Sequence, residues 1–264
     1  MRIQHLRLYT LAIEAQHHFY TFVLELPETS RSSAAFSVQV GESTLEFIQA
    51  EGDFHYHFAF NIPSNALNDA KSWLEFRTPL RKGGAPDIAG KDLFESVNWE
   101  ARQVYFRDPA GNIGELIAHR TRPASTAQTF GPSSLLEISE IGLVTDNVLE
   151  KVRTLEIQFE LEPYRQDADP QFTAVGSVTG FFIVVKTGRK WFPDLTQTAV
   201  PAKFEVQMAL EGGESVWTDD TLEREVLPPT TAVVSPKAVP SVVAPNEKPP
   251  LTCLEKLPSF LKVR

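Results

Sequence analysis

The sequence repeats one order of secondary-structure elements, and this repeat constrains the fold more than any other feature. Residues 1 to 52 have the pattern of a strand, a helix and two further strands, and residues 53 to 121 have the same order. Alternating apolar and polar residues mark the strands, and apolar residues every three to four positions mark the helices. Such copies bury their apolar faces by packing together, so we expect an α+β fold built from repeated modules.

Each copy can be divided into its elements. In the first copy we predict a strand at residues 2 to 9, a helix at 11 to 26 that Pro27 ends, and strands at 34 to 40 and 43 to 49. In the second copy we predict a strand at 55 to 62, a helix at 65 to 76, and strands between 96 and 119, after a glycine-rich loop at 82 to 90.

The last two strands of the second copy form a predicted hairpin. Asp108, Pro109, Gly111 and Asn112 separate two apolar runs, and these residue types favour a tight turn. Glu115 then lies on a strand, on the same face as Ile117 and His119, because strand side chains alternate.

The remaining sequence divides into three parts. Residues 122 to 133 are rich in Ala, Ser, Thr and Pro and read as a linker. Residues 134 to 212 resemble a degenerate third copy, with a last strand at 202 to 210 that looks like the stub of a fourth. Residues 213 to 264 include a proline-rich stretch, and we predict a largely extended or disordered tail.

Composition excludes several classes of function. The formal charge of −9 and a pI near 5.2 leave no basic surface for nucleic acid. No apolar run reaches the roughly 18 residues of a membrane helix, and the start of the chain lacks the apolar core of a signal peptide, so we expect a cytoplasmic protein. The single cysteine, Cys253, excludes a thiolate metal cluster.

Four polar residues occupy corresponding positions of the two copies. His5 and His57 lie on the opening strands, and Glu46 and Glu115 lie on the last strands. If the copies close around one cavity, imidazoles and carboxylates of this kind suit a divalent transition metal. Other residues that we expect to line such a cavity are Arg7, Tyr9, Asn61, Trp99, Tyr105 and Arg107.

Three motifs resemble the vicinal oxygen chelate superfamily, which includes glyoxalases, bleomycin-resistance proteins and extradiol dioxygenases. These motifs are FY-x-x-VL at residues 19 to 24, HFAF at 57 to 60 and DPAGN-x-x-EL at 108 to 116. The resemblance covers residues 1 to 121 well and about 134 to 210 weakly.

The resemblance implies paired βαβββ modules that form a curved, cup-shaped mixed sheet around a divalent metal. Carried over by position, the metal ligands are His5, His57, Glu115 and Glu46, although Glu46 is alternatively a catalytic base. The metal stays open among Fe(II), Mn(II), Ni(II) and Zn(II). In the third copy Glu140 takes the position of His5 and Lys186 lies near that of Glu46. This combination does not make a metal site, so this module is expected to cover a sheet edge or form a homodimer contact.

The implied activity is that of a metal-dependent enzyme acting on a small molecule chelated through vicinal oxygens. It is either a glyoxalase-like isomerase or lyase, in which Glu115 or Glu46 moves a proton, or a ring-cleaving dioxygenase. The alternative is a metal-free small-molecule binding or resistance protein of the same fold. We favour the enzyme because all four ligand positions are filled.

Overall fold

The computed structural model describes residues 1 to 211 and 213 to 218. Within these ranges the chain has thirteen strands and three α-helices, and the elements follow the predicted repeat. The first module comprises β1 Arg2–Thr10, α1 Ile13–His18, a π-helical turn Phe19–Val23, β2 Glu28–Arg31, β3 Ala35–Val40 and β4 Ser43–Gln49. The second comprises β5 His57–Asn61, α2 Leu67–Glu75, β6 Phe94–Ser96, a 3-10 turn Val97–Trp99, β7 Ala101–Arg107 and β8 Ile113–His119.

The third module follows a short 3-10 turn, Pro132–Ser134, and two further strands come after it. The module comprises β9 Glu137–Thr145, α3 Val148–Phe159, β10 Phe172–Ser177 and β11 Gly180–Lys186. The last two strands are β12 Phe204–Leu210 and β13 Gly213–Thr218. Strand β13 pairs with β12 along its whole length, so the predicted tail does not begin at residue 213. Most of that tail, from residue 219 onward, lies outside the described residues.

Every module places its first strand parallel to its last strand. Thus β1 pairs with β4, β5 with β8 and β9 with β11, all in parallel register. The remaining strands of each module follow in antiparallel order. The α+β architecture of paired modules and a curved sheet is therefore confirmed.

The partners in each sheet differ from the expectation. The second and third modules share a seven-stranded sheet, because β5 pairs antiparallel with β9. The first module shares a six-stranded sheet with β12 and β13, through the antiparallel pair of β1 and β12. Residues 1 to 121 thus contain two modules, but these modules lie in different sheets. The last two strands extend the sheet of the first module beyond β1.

The main apolar core includes one face of each sheet. Leu6 and Leu8 of β1, Phe58 and Phe60 of β5 and Ile141 of β9 are buried in one cluster. The opposite face of the seven-stranded sheet carries a second, smaller apolar cluster, which includes residues of β7, β8 and β11. This second face holds the cavity described below.

The hairpin between β7 and β8 forms as predicted. Arg107 pairs with Ile113 across the turn, and Gly111 has a φ of +84°, a conformation that favours glycine. The Asp108 carboxylate accepts hydrogen bonds from the backbone N–H groups of Ala110 and Asn112, at 3.1 and 2.9 Å. The turn therefore fixes where β8 begins and, with it, the position of Glu115.

No helix in the described part of the chain is long and apolar enough to cross a membrane.

Candidate metal centre and cavity

Three ionisable side chains from three adjacent strands converge on the second face of the seven-stranded sheet. His57 comes from β5, Glu115 from β8 and Glu140 from β9. His57 Nε2 lies 3.6 Å from Glu115 Oε2 and 3.5 Å from Glu140 Oε2. All three residues are buried, and their candidate ligand atoms lie within 4.8 Å of one another.

The imidazole of His57 is oriented by the backbone. Its Nδ1 lies 3.2 Å from the carbonyl oxygen of Ile113, which can only accept a hydrogen bond. This contact favours the tautomer in which Nδ1 carries the proton and Nε2 presents its lone pair to the two carboxylates. The ring also packs against Trp191, with 5.2 Å between ring centroids.

A β-bulge directs Glu140 to the same side as His57. The register between β5 and β9 shifts at Ser139, so that Glu140 pairs with Ala59 whereas Ile138 pairs with Phe60. Glu137 and Glu140 are three positions apart, and in a regular strand they would point to opposite faces. With the bulge, Glu137 pairs with Asn61 and Glu140 with Ala59, which share the face of His57.

The electrostatics of this group favour a bound cation. Burial, and then the negative charge of Glu140, raise the pKa of the Glu115 carboxyl well above its ordinary value, against a smaller lowering effect from hydrogen bonding with Tyr105. Burial and the same two carboxylates also raise the pKa of the Tyr105 hydroxyl. Glu140 Oε1 is buried and has no hydrogen-bond partner in the described part of the protein. The negative charge of two carboxylates buried beside a single imidazole is poorly balanced unless a cation binds to them.

The donor set fits a divalent metal. One imidazole nitrogen and two carboxylate oxygens supply three ligands and two negative charges, and open positions would remain for water or substrate. The ligand atoms already lie close together, so His57, Glu115 and Glu140 are the residues that would hold the ion.

These three residues lie on the wall of a cavity of about 910 Å³. The lining is rich in aromatic side chains, and it includes Trp99 and Tyr105, two of the residues that the sequence analysis named. The aromatic residues of the lining are Phe94, Trp99, Tyr105, Phe172, Trp191 and Phe192. Gln103, which the sequence did not single out, is buried beside them and donates a hydrogen bond from its amide to the Ser96 hydroxyl at 2.7 Å.

The other predicted ligands form a separate network on the six-stranded sheet. His5 Nε2 lies 2.8 Å from Glu46 Oε2, and Arg7 Nε donates to the same oxygen at 2.7 Å. Arg7 also donates to Glu205 at 2.8 Å, and the Tyr9 hydroxyl donates to Glu205 at 2.6 Å. Thus His5 and Glu46 do not converge with His57 and Glu115, because the first and second modules lie in different sheets.

Two further predicted cavity residues have other partners. Asn61 lies on the face of His57, but its amide donates to Glu137 Oε1 at 2.5 Å and to the carbonyl of Val178 at 2.6 Å. Arg107 donates to Gln197 at 2.9 Å. Neither residue is part of the cavity lining.

Glu140 is the residue that sequence reasoning excluded and the structure brings into the group. Its position on the opening strand of the third module, equivalent to His5, was visible in the sequence. The error was to pair the first module with the second. With the second and third modules paired, three of the four positions give His57, Glu115 and Glu140, and the fourth falls near Lys186.

Each of the three modules has the strand–helix–strand order that the resemblance to the vicinal oxygen chelate superfamily implies, but the second module pairs with the third and not with the first. No family model matches the sequence. No curated protein matches it either.

The solved structures that are similar to this chain include proteins described as a glyoxalase I, a dioxygenase and a glyoxalase/bleomycin resistance protein/dioxygenase. A proposed dioxygenase from Bacillus subtilis is 17% identical, with a TM-score of 0.48 over 70% of this chain and 63% of its own. Glyoxalase I from Zea mays is 13% identical, with a TM-score of 0.44 over 70% of this chain and 66% of its own. Lactoylglutathione lyase from Agrobacterium tumefaciens is 20% identical, with a TM-score of 0.34 over 44% of this chain and 91% of its own. The chain thus spans less than two thirds of the length of the first two proteins.

Proposed function

We propose that this protein is a metal-dependent enzyme that acts on a small molecule whose two neighbouring oxygens bind the same metal ion. In this proposal His57, Glu115 and Glu140 hold the ion, and the aromatic cavity holds the substrate. The reaction class is either a glyoxalase-like isomerisation or lyase reaction, or ring cleavage of an aromatic diol. The main support is that one imidazole and two carboxylates are buried together at a large cavity, and that one carboxylate oxygen has no hydrogen-bond partner among the described residues.

The proposed ligand set shifts the expected metal. The sequence predicted His5, His57 and Glu115 as ligands, with Glu46 as a fourth ligand or a base, whereas the proposed set of one histidine and two glutamates has a larger share of oxygen donors. Carboxylates suit Mn(II), and imidazole also suits Fe(II) and Zn(II), so Mn(II) and Fe(II) become the first candidates. Their charge of +2 would balance the two carboxylates.

The protein's own residues have distinct roles in this proposal. A divalent ion at the centre supplies Lewis acidity toward the substrate oxygens. The backbone contact of His57 with Ile113 keeps its ring oriented toward the centre. Glu115, next to the Tyr105 hydroxyl, is the carboxylate placed to accept or return a proton, and Glu46 has no such position because it lies on the other sheet.

Elemental analysis with matched variants tests the proposal. Purified protein is reconstituted with Mn(II), Fe(II), Ni(II) or Zn(II), and bound metal is measured after removal of the excess. We expect near-stoichiometric metal in the wild type and at least tenfold weaker binding in Glu140→Gln and His57→Ala, because each variant removes one of three ligands. His5→Ala and Glu46→Gln serve as controls and should retain the metal.

Two outcomes would refute this assignment. If the wild type binds none of the four metals, the metal-dependent function is wrong. If His5→Ala and Glu46→Gln lose metal while Glu140→Gln retains it, the centre lies on the six-stranded sheet instead. Circular dichroism of each variant ensures that unfolded protein is not counted as loss of metal.

A metal-free binding protein is the second candidate, and the large aromatic cavity favours it as much as it favours an enzyme. In that function no metal ion is needed, and the aromatic cavity alone binds the ligand. Saturable binding of a ligand to metal-free wild type, together with no metal uptake, would select this candidate.

A further inference from the structure

The cavity lining distinguishes between the chemical classes of substrate that the proposed function leaves open. We propose that the cavity binds a flat, uncharged molecule of two or three fused aromatic rings, and that it rejects anionic peptide conjugates. This inference rests on the proposed function, since it names the substrate class of the same site. Its three supports are the aromatic walls, the volume and the distribution of charge.

The aromatic side chains form two groups around the cavity. In one group Phe94 lies 4.8 Å from Phe192 and 5.7 Å from Tyr105, measured between ring centroids. In the other group Trp99 lies 6.2 Å from Phe172. Aromatic faces and edges of this kind bind flat ring systems by stacking and edge contacts. The volume of about 910 Å³ is near the upper end of ordinary ligand sites and exceeds what a single ring needs.

The charged groups of the lining disfavour anions. Five carboxylates line the cavity, and they face two cationic side chains, so the formal charge of the lining is −3 with neutral His57. A divalent ion bound at the centre would change the formal charge of the lining from −3 to −1. The five carboxylates are those of Asp87, Glu95, Glu115, Glu140 and Asp169.

Both cations of the lining already have partners. The Arg189 guanidinium lies 5.0 Å from the ring centroid of Phe172, and its Nη1 donates to the carbonyl oxygen of Lys190 at 3.3 Å. Lys190 donates from Nζ to the Thr198 hydroxyl at 2.8 Å. Recruiting either side chain to a substrate carboxylate would break these contacts. An anionic peptide conjugate would therefore gain few favourable ion pairs in this cavity, and the negative charge of the lining would repel it.

Two ligands with the same ring system separate shape from charge. Acridone is an uncharged molecule of three fused rings, and acridone-10-acetate adds one carboxylate. Binding is measured by quenching of tryptophan emission and by acridone anisotropy, with metal-free and metal-loaded protein. S-benzylglutathione serves as the anionic peptide probe.

We expect saturable acridone binding by the wild type, and at least tenfold weaker binding of acridone-10-acetate at low salt. Raising the ionic strength should narrow this difference, because salt screens charges at the cavity rim. Trp99→Leu should weaken acridone binding about fivefold through loss of ring contact. Trp217→Leu is the matched control, since Trp217 packs on Phe159 and Phe182 outside the cavity, and its affinity should stay within twofold.

The inference is overturned if acridone does not bind the wild type, or if acridone-10-acetate or S-benzylglutathione binds as tightly as acridone. It is also overturned if a folded Trp99→Leu protein binds acridone as well as the wild type does. Because acridone has no vicinal oxygens, its binding is independent of the metal. Metal uptake without acridone binding would reject this substrate class alone, and acridone binding without metal uptake would reject the proposed enzyme function alone.

Discussion

Asp108 carries a structural prediction that can be worked out in detail. Its Oδ2 accepts hydrogen bonds from Gln16 at 2.6 Å, from the Asn112 amide at 2.8 Å and from the Tyr20 hydroxyl at 3.0 Å. Gln16 and Tyr20 belong to the first module, whereas Asp108 and Asn112 belong to the second. One buried carboxylate therefore joins the two modules that the sheets separate.

Asp108→Ala leaves three buried side-chain donors without their acceptor. Each unsatisfied buried donor costs about 1 to 3 kcal/mol, and the three costs overlap because the donors share one oxygen. Part of the loss is offset, since burial of the wild-type carboxyl raises its pKa and thus opposes its charged form. We therefore expect the free energy of unfolding to fall by about 4 kcal/mol, a large share of the roughly 5 to 15 kcal/mol typical of a domain.

Urea unfolding followed by circular dichroism measures this change. Asp53→Ala is the control, because the Asp53 side chain is 91% exposed and its pairing with His55 should contribute less than about 1 kcal/mol. If Asp108→Ala does not fold, Asp108→Asn keeps the size of the side chain and still loses one acceptor. A loss below 1 kcal/mol in Asp108→Ala would refute the assigned role of the carboxylate.

Three further changes have defined outcomes. Gly114→Ala should lower the free energy of unfolding by about 1 to 3 kcal/mol, because a Cβ at this position would lie 2.2 Å from the ring of Phe106. Adding Phe106→Leu to the same chain should restore part of the stability, as measured by urea unfolding. Burial raises the pKa of the Glu137 carboxyl, so this carboxyl binds its proton more tightly in the folded protein than in the unfolded chain. The free energy of unfolding of the wild type, relative to that of Glu137→Gln, should therefore fall as pH rises from about 4.5. A free-energy difference that stays constant or rises with pH would contradict this prediction. Ser43→Ala should lower the free energy of unfolding by about 1 to 2 kcal/mol, because the Ser43 hydroxyl accepts a hydrogen bond from the backbone N–H of Ile138, on the other sheet, at 3.0 Å. An unchanged thermal unfolding temperature would disprove this role.

Local patterns in the sequence predicted the elements and the faces of their side chains. The alternation in the opening strand of the second module placed His57 opposite Phe58, and the structure has the same arrangement. The turn at Asp108 and the position of Glu115 on a strand were also predicted correctly. The short strand β2 was missed because all four of its residues are exposed and show no apolar alternation.

The pairing of modules was beyond this reasoning for a physical reason. All copies share the same local order of strands and helices, so alternation and helical spacing do not predict which two copies pair with each other. That choice depends on contacts between residues far apart in the chain, such as the pairing of Phe58 with Ile141. The bulge at Ser139, which turns Glu140 toward His57, likewise depends on the partner strand.

The interlocked pairing of strands has a consequence for how the protein comes apart. The chain passes from the six-stranded sheet to the seven-stranded sheet and then returns, and β12 closes the path by binding β1. No single cut between modules releases a piece that keeps all its strand partners. The two sheets share no strand, but they bury residues of one apolar cluster, so melting either sheet exposes the apolar face of the other. The described modules should therefore unfold in one transition, and a protein with a damaged sheet should lose the cavity along with its stability.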